Sequence, residues 1–320
     1  MTILFLKMLP LVLMSFAGYL LFRMKWVDAT FNRQLSQVML NLFYPCLIIS
    51  SILRSFTLKT LAQNWMMPVG TIFILTTGWL VGWATLTFVK KHPLSTQRCF
   101  HFICMMNNYS FLPILLATSL WNEKAVALIA FSALGSELCV WTLGIKAMTG
   151  QPLERKFLRN LVSMPMLAIG ASFILLVLRS TCVHYQWMPA AGSTTDELFT
   201  TLLDTCRMTG SATVPASALI CGIRIAMLHP HKLVSPLLIG TSFLRLLVIP
   251  AITIGVLMLV PMDHEMRRVL VLIATMPVAM ASVSLAEAYK SDADLSAAAI
   301  LVTHLICLVS VPFWLLVTQI

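Results

Sequence analysis

The chain contains ten apolar segments of about 20 residues each, and these segments limit its fold more than any other feature. They run approximately over residues 3–22, 34–53, 67–89, 97–120, 125–148, 160–179, 195–223, 233–260, 268–289 and 295–319. A helix of about 20 residues crosses a hydrocarbon core roughly 30 Å thick. Only 11% of the residues are charged, against about 25% in soluble domains. The sequence therefore predicts an all-α polytopic membrane protein with ten transmembrane helices.

Lysine and arginine are distributed unevenly between these predicted spans. The loops after the odd-numbered spans hold thirteen of them, and the loops after the even-numbered spans hold six. The positive-inside rule then predicts that both termini lie on the non-cytoplasmic side of the plasma (inner) membrane. The net charge of +10 indicates contact with lipid headgroups rather than with nucleic acid.

Proline positions indicate that the chain consists of two similar halves. Three prolines fall at related places in each half, namely Pro10, Pro45 and Pro113 in the first and Pro165, Pro215 and Pro277 in the second. We predict an inverted repeat of five plus five helices, with halves at 1–148 and 160–320 and a cytoplasmic linker at 149–159. Inverted repeats with interrupted helices point to the binding site of a secondary transporter.

The segment "MMNNYSFLP" (105–113) places polar residues inside an apolar span. A break in a membrane helix leaves backbone N–H and C=O groups that must be buried in protein or line a wet cavity. We expect Pro113 to make the break, and Asn107 and Asn108 to satisfy the freed backbone or to bind a ligand. Pro277 is the matching breaker in span 9, and Ser282 follows it as a further candidate for substrate binding.

Three charged residues within the spans are candidates for proton or charge coupling. Asp204 and Arg207 lie three residues apart, so they share a helix face and can also form a structural pair. Glu137 lies deep in span 5, where a carboxyl group either exchanges protons or stays neutral and hydrogen-bonded. Arg245 is expected to extend towards the interface or to pair structurally.

Enzymatic and metal-dependent functions find no support in the sequence. The eight cysteines form no CxxC pair, so we expect no metal site, no cofactor and no disulfide framework. The motifs GxSxG and HExxH, which an intramembrane hydrolase would need, are absent. The chain is therefore predicted not to be an enzyme.

Four stretches resemble the auxin efflux carrier (PIN-like) family, whose bacterial members move organic acids. They are "LNLFYPCLIISSIL", "MNNYSFLPILLATSLWNEKAV", "SATVPASALICGI" and "MPVAMASVSLAEAYKSDADLSAAAILVTHLICLVSVPFWLLV", and the last is the most specific. The asparagine of the family's helix 4 falls on Asn108, with Ser110 where glycine is usual. The family's helix 4 proline usually comes about two residues after Pro113, where this chain has Leu115.

The resemblance implies an architecture and a mechanism. Helices 1, 2, 6 and 7 would form a scaffold, and helices 3–5 and 8–10 a transport bundle. Helices 4 and 9 would be broken and would cross near the midplane, as in sodium/proton antiporters and bile-acid symporters. The family's transport bundle moves like an elevator, and its scaffold forms a homodimer.

The function expected from these features is secondary transport of an organic anion, either an auxin-like carboxylate or a small dicarboxylate. No carboxylate sits next to either proposed break, which argues against tight cation coupling there. Two alternatives stay open, namely a sodium-coupled carrier of the bile-acid symporter type and a transporter-like membrane sensor.

Overall fold

A computed structural model describes residues 2–151, 163–184, 194–227 and 235–319, and these residues are mostly helical. The helices are α1 (Thr2–Arg23), α2 (Ala29–Ser55), α3 (Leu58–Val89), α4 (Leu94–Met105), α5 (Phe111–Leu120), α6 (Glu123–Thr149), α7 (Met164–His184), α8 (Thr194–Ser211), α9 (Thr213–Met227), α10 (Pro236–Leu259), α11 (His264–Ala274), α12 (Ala281–Ala288) and α13 (Ala293–Val317). Single π-helical turns interrupt α2, α6 and α10.

Seven helical stretches in the described part of the chain are long and apolar enough to cross a membrane. They are α2, α3, α6, α7, α10, α13 and the stretch Glu197–Met227, which α8 and α9 form together. The prediction of a helical polytopic membrane protein is therefore confirmed.

Two predicted spans, 97–120 and 268–289, are each divided into two shorter helices. Residues 106–110 separate α4 from α5, and residues 275–280 separate α11 from α12. The longest of these four pieces is α4, with 12 residues, which is too short to span roughly 30 Å alone. The span at 3–22 corresponds to α1. The count of ten transmembrane helices stays a prediction.

The helix α6 ends at a left-handed glycine just before the predicted linker. Gly150 has a φ of 67°, and its N–H donates to the carbonyl of Lys146 at 2.9 Å. Glycine adopts this backbone conformation without the strain that a Cβ would introduce. Most of the linker predicted at 149–159 lies outside the described residues, which resume at 163.

The described helices pack into two groups. In the first group, α9 packs along α1, and α2 packs against α7, α8 and α9. In the second, α3 packs against α4, α6, α10 and α11, while α13 packs against α10 and α12. Contacts of α2 with α6, and of α5 with α1 and α9, join the groups. The predicted division into scaffold and transport bundle would place its boundary between them. That division and the inverted repeat stay predictions.

Polar side chains fix the starts of several helices. Asn122 accepts the N–H of Ala125 at 3.0 Å to start α6, and the hydroxyl of Ser235 likewise starts α10. These caps satisfy N–H groups that have no partner within the helix. Next to Asn122, the ammonium of Lys124 lies 2.5 Å from a carboxylate oxygen of Glu265 at the start of α11. This hydrogen bond holds the pKa of Glu265 below its usual range.

The close packing of α9 on α1 generates the first prediction. A Cβ at Gly222 would overlap the backbone carbonyl of Ser15, which cannot turn aside as a side chain can. We expect Gly222→Ala to cost about 1–3 kcal/mol of stability and to lower the midpoint of thermal unfolding in detergent. Gly170→Ala in α7 is the matched control, because a Cβ there would meet nothing within 4 Å. Equal midpoints for the two variants would contradict the close contact.

Candidate functional site

The two interruptions lie against each other and pair through their backbones. Asn107 and Val278 form an antiparallel β-bridge. The N–H of Asn108 donates to the carbonyl of Pro277 at 2.8 Å, and the N–H of Ala279 donates to the carbonyl of Met106 at 3.2 Å. We call residues 106–110 together with 275–280 the crossing. In an apolar interior, such pairing avoids the cost of several kcal/mol for each unsatisfied backbone group.

A threonine of α13 completes this pairing. The N–H of Val278 donates to the hydroxyl oxygen of Thr303 at 3.2 Å, and that hydroxyl donates to the carbonyl of Ala299 at 2.6 Å. Thr303 is fully buried. The crossing is therefore held by α13 as well as by its own two segments.

The two prolines play different parts at the crossing. Pro277 lies within it, where its carbonyl accepts from Asn108. Pro113 is the third residue of α5, directly after the interruption rather than within it. The reason is that the first N–H groups of a helix have no partner within the helix, so a proline fits in the first turn without losing a hydrogen bond.

Asn107 serves the backbone of the opposite segment. Its amide Nδ2 donates to the carbonyl of Ile273, near the end of α11, at 2.6 Å. Its side chain is 0% exposed, and its Oδ1 has no hydrogen-bond partner among the described residues. The position explains why an asparagine is tolerated here, because it caps a helix end inside an apolar core.

Asn108 keeps its donor free. Its Oδ1 accepts a long hydrogen bond of 3.4 Å from the N–H of Leu112, in the first turn of α5. Its Nδ2 is buried and has no partner among the described residues. The hydroxyl of Ser282, the second residue of α12, is also buried and has no hydrogen-bond partner among the described residues. A buried polar group with unused hydrogen-bonding capacity therefore lies at the start of each helix that begins at the crossing, α5 and α12.

Glu137 of α6 connects to the crossing through Tyr109. The hydroxyl of Tyr109 donates to one carboxylate oxygen of Glu137 at 2.9 Å, and the indole N–H of Trp141 donates to the other at 2.9 Å. Two directed donors therefore hold the carboxyl group in one orientation. The adjoining surface is aromatic as well, since the ring of Tyr44 in α2 packs edge-on against Phe111, with centroids 5.8 Å apart.

Arg245 of α10 bonds to the crossing and to the helix ends beside it, and does not extend towards the interface. Its guanidinium donates to the carbonyls of Ala274 (2.9 Å), Cys104 (3.0 Å), Met276 (3.2 Å) and, more weakly, Met105 (3.5 Å). The side chain is 0% exposed. The sequence suggested either an interfacial position or a structural pair because arginine in an apolar run is costly, and the two helix ends provide enough acceptors to bury it.

Asp204 and Arg207 lie away from the crossing, on α8. Asp204 forms an ion pair with Arg54 of α2, and the guanidinium of Arg207 lies 3.7 Å from Glu123 and 3.9 Å from Asp204. The Asp204 and Arg207 side chains are about half exposed. The predicted pair is present, but it is part of a network of four charges.

Two cavities flank α5. The first, of about 460 Å³, is almost wholly apolar and lies between α1, α9 and α13. Its lining includes Leu112 and Leu115 of α5 and Met280, which directly precedes α12. The second, of about 410 Å³, lies between α2, α6, α8 and α9, and it includes Arg54 and Arg207. Both volumes suit a small organic molecule.

The fold adds residues that the sequence did not single out for a site. Tyr109, Trp141 and Thr303 read as ordinary core residues in an apolar chain, and only their partners across the fold reveal them. Among the described residues, no group of three or more His, Cys, Asp or Glu side chains could hold a metal ion.

The different bonding of the two asparagines generates a second prediction. Asn107→Ala leaves the carbonyl of Ile273 without its side-chain donor, and we expect a loss of about 1–3 kcal/mol in stability. Asn108→Ala removes an amide whose donor is unused, so its loss should be smaller. Thermal unfolding of the two purified variants beside the wild type measures this difference. A larger loss for Asn108→Ala would contradict the bonding described.

Comparison with known proteins supports a transport function. The family model described as "Membrane transport protein" matches residues 3–161 and 153–315. PIN-LIKES 5 of Arabidopsis thaliana is 19% identical over 91% of this chain and 90% of its own length. An uncharacterized transporter of Methanocaldococcus jannaschii is 24% identical over 66% of this chain, and the match covers 65% of that protein. PIN-LIKES 1 of Arabidopsis thaliana is 24% identical over 29% of this chain, but over only 20% of its own length.

These matches favour an integral membrane transporter over an enzyme. They agree with the apolar helices described above. Since the family model covers nearly the whole chain, the resemblance read from the sequence is confirmed, and the protein belongs to the auxin efflux carrier (PIN-like) family of membrane transport proteins.

Proposed function

We propose that the protein is a secondary transporter of organic anions whose substrate binds at the crossing. The substrate would be a carboxylate, either a small dicarboxylate or an auxin-like aromatic acid. The group of α3–α6 and α10–α13 would move like an elevator against α1, α2 and α7–α9. The carrier would work as a homodimer in the plasma (inner) membrane, with both termini on the non-cytoplasmic side.

The observation that carries this proposal is the balance of charge at the crossing. The N-termini of α5 and α12 both lie there, and each contributes about half a positive charge. The C-termini of α4 and α11 contribute about half a negative charge each, but Arg245 covers them with a full positive charge. The sum of these charges is about +1, which favours an anion over a cation most strongly when Glu137 is neutral.

Unused polar groups supply the specific contacts. The Nδ2 of Asn108 and the hydroxyl of Ser282 lie at the two helix N-termini and have no partner among the described residues. A carboxylate accepts hydrogen bonds from such donors. Asn108 is only 3% exposed, so in this conformation the donor is closed to solvent. The site would open as the two groups of helices move, since the apolar cavity already lies along their boundary.

Transport currents test the role of Asn108. Purified protein in liposomes on a solid-supported membrane would be given malate, malonate, indole-3-acetate or taurocholate, each with and without sodium. We expect a sodium-independent current for at least one carboxylate. Asn108→Ala should weaken its apparent affinity roughly 10- to 100-fold, because a hydrogen bond to a charged group contributes about 1.5–3 kcal/mol.

Asn64→Ala is the matched control, since Asn64 lies in a turn of α3 and bonds only locally, to the carbonyl of Thr60. Its current should equal that of the wild type. An unchanged current in Asn108→Ala would reject substrate binding at this residue. A current that requires sodium would favour the alternative of a bile-acid symporter-type carrier. Folded protein without current for any anion would favour the sensor alternative.

Glu137 would link transport to pH under the same proposal. Its carboxylate reaches the crossing through Tyr109, so protonation of Glu137 would make the crossing more positive and improve anion binding. We expect the wild-type current to rise as pH falls. Glu137→Gln, which is permanently neutral and nearly the same shape, should give a high current with little pH dependence. An identical pH profile in both proteins would assign Glu137 a structural role.

Asp204 and Arg207 would act at the entrance rather than at the crossing. Arg207 lines the second cavity together with Arg54, but Asp204 and Glu123 offset both positive charges. We therefore propose that Asp204 and Arg207 only guide the substrate along the second cavity.

A further inference from the structure

Arg245 sits at a π-helical turn in the middle of α10. The turn covers Leu244–Val248, and it adds one residue to a helical turn, as π-bulges at functional sites do. The side chain points into the protein and is 0% exposed. A fully buried guanidinium retains its charge and therefore requires compensation from its surroundings.

Backbone carbonyls provide that compensation. The four acceptors belong to the last two residues of α4, the last residue of α11 and Met276 in the crossing. Among the described residues, no carboxylate forms an ion pair with Arg245. The positive charge is thus balanced by the negative ends of two helix dipoles and not by an acidic side chain.

Such a ring of carbonyl oxygens is the environment that a small cation also requires. Sodium and similar hard cations bind oxygen ligands, and half-helix C-termini with unwound backbone carbonyls are their usual site in carriers with interrupted helices. In this protein the same two helix ends converge, but the guanidinium occupies the space between them.

We propose that Arg245 is a tethered cation that takes the place of a coupling ion at the crossing. The charge that a sodium- or potassium-coupled carrier would recruit from solution is here covalently attached to α10. The crossing is therefore complete without a bound metal ion, and substrate binding does not depend on one. The consequence for transport rests on the proposed function, whereas the charge compensation is a property of the protein without substrate.

The experiment measures thermal unfolding without any transport substrate. Wild type and Arg245→Ala would be unfolded in detergent in choline chloride, and in series in which sodium, potassium or methylguanidinium chloride replaces the choline chloride stepwise at constant total concentration. The wild-type midpoint should be equal in all four. The midpoint of Arg245→Ala should be lower in choline and should rise saturably by roughly 5 °C or more with sodium, potassium or methylguanidinium.

Arg33→Ala is the control, because Arg33 is an exposed arginine of α2, and it should behave as the wild type does. A midpoint of Arg245→Ala in choline that equals the wild-type value would overturn the proposal. A lowered midpoint that no cation raises would overturn it too, since a purely steric role would then suffice.

Two further variants decide the question if Arg245→Ala does not fold. Arg245→Lys keeps the charge with fewer donors, and Arg245→Gln keeps hydrogen bonding without the charge. The proposal expects Arg245→Lys to fold and to unfold independently of the cation. Arg245→Gln should either fail to fold or be stabilised by cations. Equal midpoints for the two variants in choline, or failure of Arg245→Lys to fold, would overturn the proposal.

These results are separate from the transport assay. Cation-dependent stability of Arg245→Ala, combined with no organic anion current in the wild type, would support the tethered cation and reject the proposed substrate. An anion current in the wild type, combined with no cation effect in Arg245→Ala, would support the proposed substrate and reject the tethered cation.

Discussion

Backbone pairing at the crossing is the interaction on which the rest of the structure depends. Each interruption frees N–H and C=O groups inside an apolar core, where water cannot satisfy them. The bridge between Asn107 and Val278 lets each segment supply the partners that the other lacks. A lone interruption would leave its groups unpaired at a cost of about 2–7 kcal/mol for each group. The pairing thereby joins α4 and α5 to helices more than 150 residues away in the chain.

The same pairing makes the crossing electrically one-sided. Two helices end there and two begin, so their dipoles alone would nearly cancel. Among the described residues, the hydrogen bonds of Arg245 go to the ends of α4 and α11 and to Met276, which follows α11, and none goes to the starts of α5 and α12. The hydrogen bonds that satisfy the helix C-termini thus also give the uncovered starts a net positive potential. Under the proposed function, both the stability of the crossing and its preference for an anion would follow from a single side chain.

The sequence predicted the membrane class, the family and the two spans that are interrupted. Apolar length and the polar stretch "MMNNYSFLP" are local signals, so they can be read without the fold. The role of Arg245 could not be read in this way, because its acceptors lie some 30 and 140 residues away along the chain. The contacts of Glu137 with Tyr109 and Trp141 were missed since aromatic residues are common in any membrane core. That Pro113 makes the break stays a prediction, because its place in the first turn of α5 does not separate causing an interruption from following one.

The two adjacent asparagines differ in how the fold uses their amide groups. The fold uses the Nδ2 of Asn107 to close the end of α11, so an added ligand would gain little there. The Nδ2 of Asn108 is buried without a partner among the described residues, and a buried unpaired donor costs about 1–3 kcal/mol. Under the proposed function, a bound carboxylate removes that cost in this conformation. The closed crossing and the bound anion therefore stabilise each other, which is the linkage that alternating access requires.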